Sequence, residues 1–189
     1  MRKAQTDLVT DAKVALSYLK EGNKRFVDGV IAPKNHAEDR KALIDVQKPY
    51  AIILTCADSR TAPEIFFDTR IGDLFVLRNA GNFATDVELG SIEFATAVLQ
   101  AKLVVVIGHT NCGAVFASHA GGQFSEKLQC VLNNIAPGIK ESLTKEEALN
   151  ANVNKVLGII KANPVVKEQG TLVLGAFYDF VTGVVTFNE

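Results

Sequence analysis

Four short apolar runs, separated by helical patterns, limit most strongly what this chain can fold into. They are YAIILTC (50–56), DLFVLRN (73–79), LVVVIGH (103–109) and GTLVLGAFY (170–178). Strands that are apolar throughout are typical of parallel sheets, whose crossover helices cover both faces. We therefore expect an α/β fold with a mostly parallel central sheet of about four strands. The closing segment YDFVTGVVTFNE can turn at Thr182-Gly183 and add an antiparallel edge strand.

Helical patterns separate these runs along the chain. The predicted helices cover 11–28, a short stretch around 37–45, 86–101 and 144–160. Asp11 can cap the first of them. Thr144 and Glu147 have the spacing of a capping box and predict where the last one begins. Helices before and between the strands predict a sheet covered on both faces.

Charge and length restrict the partners that such a chain can have. The 189 residues include 20 Lys and Arg against 21 Asp and Glu, interspersed, so we expect no nucleic-acid partner. No stretch approaches the roughly 20 apolar residues of a membrane span, and the charged start lacks the apolar core of a signal peptide. We expect a cytoplasmic protein without a membrane partner, although a signal peptide removed before this numbering remains an alternative. The predicted organisation is one domain over 1–189, with a helical arm at 1–45 and an α/β core at 46–189.

Reactive side chains follow two of the predicted strands. Cys56, Asp58 and Arg60 lie in TCADSR after the first run, and His109 and Cys112 lie in GHTNCGA after the third. Ligands of such sheets bind beyond the carboxyl ends of the strands, so the five side chains converge if the two strands are neighbours. Two cysteines and a histidine are good zinc ligands, and three protein ligands with an open fourth position are typical of a catalytic zinc site.

Each of these residues also has an ordinary structural explanation. A cysteine at the end of an apolar strand is usually a small core residue, and His109 with Cys112 could begin a helix around a buried thiol. Asp58 could cap the turn that contains Pro63, and Arg60 could lie on a solvated face. The coincidence of two ligand-bearing strand ends, with an acid and a base between them, favours the metal site.

The remaining glycine and cysteine positions refine this prediction. Gly108 and Gly113 suit a tight turn into a helix whose first turn carries Cys112. The third cysteine, Cys130, lies in the helical pattern SEKLQCVLNNI, where an apolar filler is the expected role. An alternative is that Cys130 completes a structural site of three cysteines and one histidine.

The sequence resembles the β-class carbonic anhydrases over most of its length. The resemblance rests on EGNKRF, CADSRTAPE, GDLFVLRNAGN, GSIEFA, VVVIGHTNCGA and GAFYDFVTG. It implies one zinc ion per subunit, held by Cys56, His109 and Cys112, and an active-site pair of Asp58 and Arg60. It also implies an obligate homodimer or a dimer of dimers, with active sites at the subunit boundary and N-terminal helices that embrace the partner.

The activity that this resemblance implies is the zinc-dependent, reversible hydration of carbon dioxide to bicarbonate and a proton. Zinc lowers the pKa of a bound water to about 7, which supplies hydroxide near neutral pH. Asp58 then accepts a hydrogen bond that orients the hydroxide, and Arg60 keeps Asp58 ionised. The same chemistry can attack carbonyl sulfide or carbon disulfide, so a sulfur-gas hydrolase is an alternative. A non-catalytic zinc module is a further one. Neither His36 nor His119 is identifiable as a proton shuttle.

Resemblance to the plant-type branch of the family also implies a small apolar pocket for carbon dioxide. Its lining comprises Gln47, Phe75, Ala80, Phe94 and the amide of Gly113. Phe94 stands where many members have tyrosine, and Ala80 where the plant type often has valine. We therefore expect a pocket of altered shape that lacks a phenolic hydroxyl.

A second bicarbonate site, found in another branch of the family, is not expected in this chain. Ile53 stands where that branch has a tryptophan, and the chain contains no tryptophan, although Arg78 is present. We predict that Asp58 stays paired with Arg60 instead of displacing the water on zinc.

Overall fold

The computed structural model describes residues 6–188 and has a five-stranded sheet at its centre. The strands are β1 (Ala51–Cys56), β2 (Leu74–Asn79), β3 (Leu103–His109), β4 (Leu172–Tyr178) and β5 (Val185–Asn188). Their order is β2-β1-β3-β4-β5, in which β1 to β4 pair in parallel and β5 is the antiparallel edge. The predicted fold class is confirmed, and the four parallel strands lie within two residues of the predicted runs.

Helices cover both faces of this sheet. They are α1 (Ala12–Val27), α2 (His36–Ala42), α3 (Pro63–Phe66), α4 (Asp86–Glu93), α5 (Gly113–Ala120), α6 (Glu126–Ile139), α7 (Lys145–Ala162) and α8 (Pro164–Glu168). The side chain of Asp11 caps α1 as predicted, by accepting a 2.7 Å hydrogen bond from the backbone N–H of Lys13. The predicted capping box of Thr144 and Glu147 begins α7. Within residues 6–188, no helix is both long and apolar enough to span a membrane.

The predicted helices over 86–101 and around 37–45 end earlier than expected. After α4, residues Phe94–Val98 form a π-helical turn, in which the N–H of Leu99 donates to the carbonyl of Phe94. Gln100 then has a φ of 60°, and the chain enters β3. A positive φ stops the helical hydrogen-bond ladder, and periodicity alone does not reveal it. The shorter helix, α2, ends at Ala42.

Alternate side chains of the strands pack against two different helical layers. Ile53 and Val105 lie in the core formed with α1 and α3. Their neighbours Ile52 and Val104 lie in the core formed with α4, α7 and α8. This period of two, with both faces buried, explains why the runs are apolar throughout.

The topology places the carboxyl ends of β1 and β3 next to each other. Thr55 of β1 is in register with Ile107 of β3, one residue before Cys56 and two before His109. The two strands that precede the predicted ligands are therefore neighbours, as the predicted site requires. The two ligand-bearing turns lie at one edge of the sheet.

Candidate metal centre

Cys56, His109 and Cys112 form one buried group of ligand atoms. These atoms all lie within 4.8 Å of one another, and the two Sγ atoms are 3.9 Å apart. Two Zn–S bonds of about 2.3 Å at a tetrahedral angle would separate the sulfurs by about 3.8 Å. The donor set and its spacing therefore fit zinc.

The ring of His109 is oriented with one nitrogen free. Its Nδ1 lies 2.9 Å from the carbonyl oxygen of Thr110, which fixes this nitrogen as the donor. Its Nε2 is buried and has no hydrogen-bond partner. A neutral imidazole with its Nδ1–H engaged presents the Nε2 lone pair, which is the arrangement of a metal ligand. A buried polar atom without a partner is unfavourable, and a metal ion at this position would remove that cost.

The turn between β3 and α5 differs from its prediction in two details. Cys112 is the N-cap residue of α5, one position before the predicted first turn. The turn residue with positive φ is Asn111, at 56°, and Gly108 lies within β3. A Cβ at Gly108 would lie 2.7 Å from a methyl group of Val153, so this glycine permits close packing of α7 on the sheet.

The two thiols influence each other's ionisation. A hydrogen bond from Cys112, outweighing the opposite effect of burial, lowers the pKa of Cys56 to about 4. The backbone N–H of Gly81, 3.3 Å from the sulfur, also favours the Cys56 thiolate. The hydrogen bond to Cys56, and then burial, raise the pKa of Cys112. A divalent cation between the sulfurs would favour loss of this second proton as well.

Asp58 and Arg60 form a forked ion pair two and four residues after Cys56. Arg60 Nε lies 2.9 Å from Asp58 Oδ1, and Nη2 lies 2.7 Å from Oδ2. The backbone N–H of Arg60 donates to Oδ1 as well, at 3.0 Å. These hydrogen bonds hold the pKa of Asp58 well below its usual range. Asp58 is thus paired with Arg60 and is an ionised acceptor at neutral pH, and its behaviour beside a metal ion stays a prediction.

Two residues outside the predicted site hold the loop that carries this pair. Arg78 donates from Nε to the carbonyl of Cys56 at 3.1 Å and from Nη2 to that of Asp58 at 2.7 Å. The hydroxyl of Thr61 lies 2.8 Å from the first carbonyl oxygen and 2.9 Å from the second. Neither residue was predicted from the sequence to have this role. The available signal for Arg78 was a charged side chain near the end of the apolar run 73–79.

A buried asparagine reaches the centre through Gly81. Asn152 of α7 is 1% exposed and donates to the carbonyl of Gly81 at 2.8 Å. Gly81 has a φ of 92°, and its N–H points at the sulfur of Cys56. Sequence analysis missed Asn152, although an amide among the apolar positions Leu149 and Val153 of one helix signals a specific buried contact.

Of the five residues predicted to line a substrate pocket, two have rings that lie near each other. The rings of Phe75 and Phe94 lie 6.3 Å apart, and Phe94 is 46% exposed. Gln47 is exposed before β1, Ala80 is exposed beside Gly81, and Gly113 follows Cys112 at the start of α5. Their contact with substrate remains a prediction.

The third cysteine does not belong to the ligand group found within residues 6–188. Cys130 is exposed, so its prediction as an apolar filler is wrong. The reason is the orientation of α6, which turns Leu132, Ile135 and Ile139 inward instead.

The remaining two histidines have partners of their own. Nδ1 of His36 lies 3.8 Å from a carboxylate oxygen of Asp39. His119 lies on α5, as expected, with Nε2 3.0 Å from the carbonyl oxygen of Ser142.

Comparisons with known proteins bear on the same part of the chain. Residues 51–185, which include all three ligands, match the family model described as carbonic anhydrase. The chain belongs to the β-carbonic anhydrase family. The resemblance in the sequence motifs is thereby confirmed.

Similar members of this family include bacterial enzymes and a fungal structure. Carbonic anhydrase 2 of Mycobacterium tuberculosis is 39% identical over 163 residues, which cover 81% of this chain and 79% of the relative. The carbonic anhydrase of Mycolicibacterium smegmatis is 35% identical over 186 residues, which cover 90% of both. A β-carbonic anhydrase structure from Aspergillus fumigatus has a TM-score of 0.72 at 27% identity, covering 94% of this chain and 90% of that one.

Proposed function

We propose that this protein is a carbonic anhydrase, which hydrates carbon dioxide reversibly to bicarbonate and a proton. The observation that carries this proposal is the ligand group of Cys56, His109 and Cys112 beside the forked Asp58–Arg60 pair. Membership of the β-carbonic anhydrase family and the relatives named carbonic anhydrase support the same activity.

The three ligands are proposed to hold one zinc ion per subunit. Two thiolates and one neutral imidazole would balance the charge of a divalent cation, and three protein ligands are typical of a catalytic zinc site. When bound, zinc lowers the pKa of a water to about 7 and so supplies hydroxide near neutral pH.

Asp58 is the proposed orienting acceptor, and Arg60 holds it in place. The guanidinium and the backbone N–H of Arg60 together use both lone pairs of Oδ1 and one of Oδ2, which leaves one lone pair of Oδ2 free to accept a hydrogen bond. Because the pKa of Asp58 is well below its usual range, Asp58 accepts and does not donate at neutral pH. By accepting a hydrogen bond, Asp58 would orient the hydroxide that bound zinc supplies, so that a free lone pair of its oxygen would face carbon dioxide.

Carbon dioxide is proposed to bind in an apolar pocket beside the ligands. Phe75 and Phe94 supply aromatic surface, and Gln47, Ala80 and the Gly113 amide complete the proposed lining. The closeness of the two rings supports this grouping. Phenylalanine at position 94 adds no hydroxyl, so the pocket offers few polar anchors to a molecule that needs few.

We also propose that the chain works in the cytoplasm as a homodimer or a dimer of dimers, with active sites at the subunit boundary. The proposed subunit is one domain over 1–189, in which the arm at 1–45 contacts the partner; residues 1–5 and 189 lie outside the described part. Large apolar side chains exposed beside the proposed pocket support an interface there: Val87, Phe94 and Val98 are 76%, 46% and 62% exposed.

Stopped-flow hydration of carbon dioxide by the zinc-loaded protein and by Asp58→Asn tests the activity. We expect fast hydration by the parent and a fall in kcat/KM of about a hundredfold in the variant, with unchanged zinc content, because the oriented acceptor is lost. Glu168→Gln, which alters an exposed carboxylate on α8, is the control and should match the parent.

Two results would contradict this proposal. One is no hydration above buffer between about pH 7 and 9 with zinc fully bound. The other is turnover of carbonyl sulfide or carbon disulfide in place of carbon dioxide, which would make the protein a sulfur-gas hydrolase.

A further inference from the structure

The turn after β4 carries an aromatic ring that contacts both parts of the candidate centre. Phe180 lies with its ring centroid 4.9 Å from that of the His109 imidazole, at an interplanar angle of 35°. The guanidinium carbon of Arg60 lies 4.1 Å from the same ring centroid. One side chain thus contacts a ligand of the metal group and the arginine that holds Asp58.

The backbone around Phe180 is tied to the turn that carries the ligands. The N–H of Phe180 donates to the hydroxyl of Thr110 at 3.0 Å, and the N–H of Thr110 donates to the carbonyl of Tyr178 at 3.1 Å. The carbonyl of Thr110 is also the acceptor for Nδ1 of His109. Thr110 therefore connects the ligand ring and the Phe180 backbone through separate hydrogen bonds.

The neighbouring rings fix the direction of the Phe180 side chain. Tyr178 packs edge-on against it, with centroids 5.5 Å apart at 80°, and Tyr178 itself stacks on Phe66 at 4.4 Å. Phe66 and Tyr178 are buried, at 1% and 7% exposure. The ring of Phe180 is thus supported by the core on one side and presented to Arg60 on another.

Arg60 needs such support because most of its side chain faces solvent. The side chain of Arg60 is 56% exposed, whereas that of Asp58 is 17% exposed. An exposed arginine has many rotamers, and an exposed ion pair alone contributes little to holding one of them. A cation over an aromatic face within about 6 Å gains a further attraction, which favours the rotamer that reaches the ring.

We propose that Phe180 is a positioning residue. Its ring holds the Arg60 guanidinium in the orientation that pairs with both carboxylate oxygens of Asp58, and it limits rotation of the His109 ring. This inference rests on the proposed function for its effect on the rate. Its structural content, the ordering of Arg60 by the ring, does not depend on that function. Neither the sequence motifs nor the comparisons assign a role to this residue.

Two substitutions distinguish the effect of the aromatic ring from the effect of apolar volume alone. Phe180→Leu keeps an apolar side chain but removes the aromatic face, and Phe180→Tyr keeps the face. The matched control is Phe187→Leu on β5, which removes another half-buried ring that stacks on Phe67 and has the Lys20 ammonium 5.9 Å from its centroid. Zinc content and circular dichroism verify that each variant is folded. If Phe180→Leu loses its zinc, Phe180→Met takes its place.

The first readout is the Arg60 Nε–H signal in proton–nitrogen NMR spectra, assigned by its loss in Arg60→Lys. In the parent we expect a resolved signal, shifted by the ring and slow to exchange with water. Phe180→Leu should return it to the position of exposed arginines, whereas Phe180→Tyr and Phe187→Leu should preserve it. The second readout is kcat/KM for carbon dioxide, which should fall about fivefold in Phe180→Leu and recover in Phe180→Tyr.

An unchanged Arg60 signal in Phe180→Leu would overturn the proposal, and so would equal loss of signal and rate in Phe180→Tyr. A parent that hydrates no carbon dioxide would contradict the proposed function instead. The NMR comparison would then still decide whether the ring orders Arg60, so the two failures are distinguishable.

Discussion

The thiolate of Cys56 receives a hydrogen bond from a backbone group that a distant side chain holds. The N–H of Gly81 donates to the sulfur, and Asn152 donates to the carbonyl of the same glycine. A Cβ at Gly81 would lie 2.4 Å from Ile135 Cδ1, so Ile135 of α6 packs closely over this glycine. Groups that orient metal ligands commonly affect metal affinity by tenfold or more.

Asn152→Ala should therefore weaken zinc binding by about tenfold, because the Gly81 N–H loses the support that aims it at Cys56. Competition with a chelator of known affinity measures the change. Asn150→Ala is the matched control, since Asn150 lies on the exposed side of the same helix and bonds only locally, to the carbonyl of Glu146. Equal zinc affinities in the two variants would contradict the prediction.

At the scale of elements, Asp68 joins α1 to the turn that follows α3. Its side chain is fully buried and pairs with Arg25 at 2.6 Å and with Lys34. It also accepts a 3.0 Å hydrogen bond from the N–H of Ala32. Burial opposes ionisation of this carboxyl, but the hydrogen bonds from Arg25 and Lys34 outweigh it and lower its pKa. The segment between α1 and α2 is thus held to the core by one carboxylate.

Asp68→Asn should lower the free energy of unfolding by about 2 kcal/mol at neutral pH, because it removes one charge of a buried cluster. Asparagine suits the site, where φ is 48°. Since the pKa of Asp68 is lower in the folded state, its contribution is complete above the ordinary carboxyl pKa of about 4 and disappears as the pH falls through the folded value.

Urea unfolding of parent and variant at several pH values measures this effect. The difference between them should narrow as the pH falls below about 4. Asp28→Asn, which breaks an exposed pair with Lys24, is the control and should change stability by less than about 1 kcal/mol at any pH. If the difference in free energy of unfolding between parent and Asp68→Asn did not vary with pH, the stabilising role of ionised Asp68 would be refuted.

At the scale of the whole molecule, α4 and its π-helical continuation carry three large apolar side chains that are exposed. Val87, Phe94 and Val98 follow one another at spacings of seven and four residues, which place them on one side of α4 and its π-helical continuation. The ring of Phe94, one of these three side chains, lies 6.3 Å from the ring of Phe75 at the proposed pocket. An interface there would cover the apolar side chains and complete the pocket.

Sedimentation velocity should therefore give the parent a mass of two or four times the 20.4 kDa of one chain. Val98→Glu should shift it towards smaller species, because a symmetric interface would bury the new charge in both copies. Leu143→Glu is the control, as Leu143 is 88% exposed and lies between α6 and α7, on neither α4 nor its π-helical continuation. A parent that sediments as a single chain, or a Val98→Glu variant of unchanged mass, would contradict the proposed assembly.

Much of the fold and part of the site could be predicted because their signals are local. A strand buried on both faces needs a continuous apolar run, as in LVVVIGH, and the caps at Asp11 and Thr144 depend on residues within one helical turn. The chemistry of the candidate centre is likewise local, since Cys56, Asp58 and Arg60 are neighbours in sequence. These features followed from residue type and spacing, without knowledge of which strands are adjacent.

The tertiary structure alone decided which distant residues meet. The crossover topology places β1 beside β3, and this pairing brings Cys56 to His109. Asn152 and Phe180 reach the centre from α7 and from the turn after β4, and nothing in their local sequence specifies those contacts. The exposure of Cys130 was mispredicted for the same reason, because the rotation of α6 depends on what it packs against. Sequence periodicity records which residues prefer burial, whereas side-chain partners depend on the packing of elements far apart in the chain.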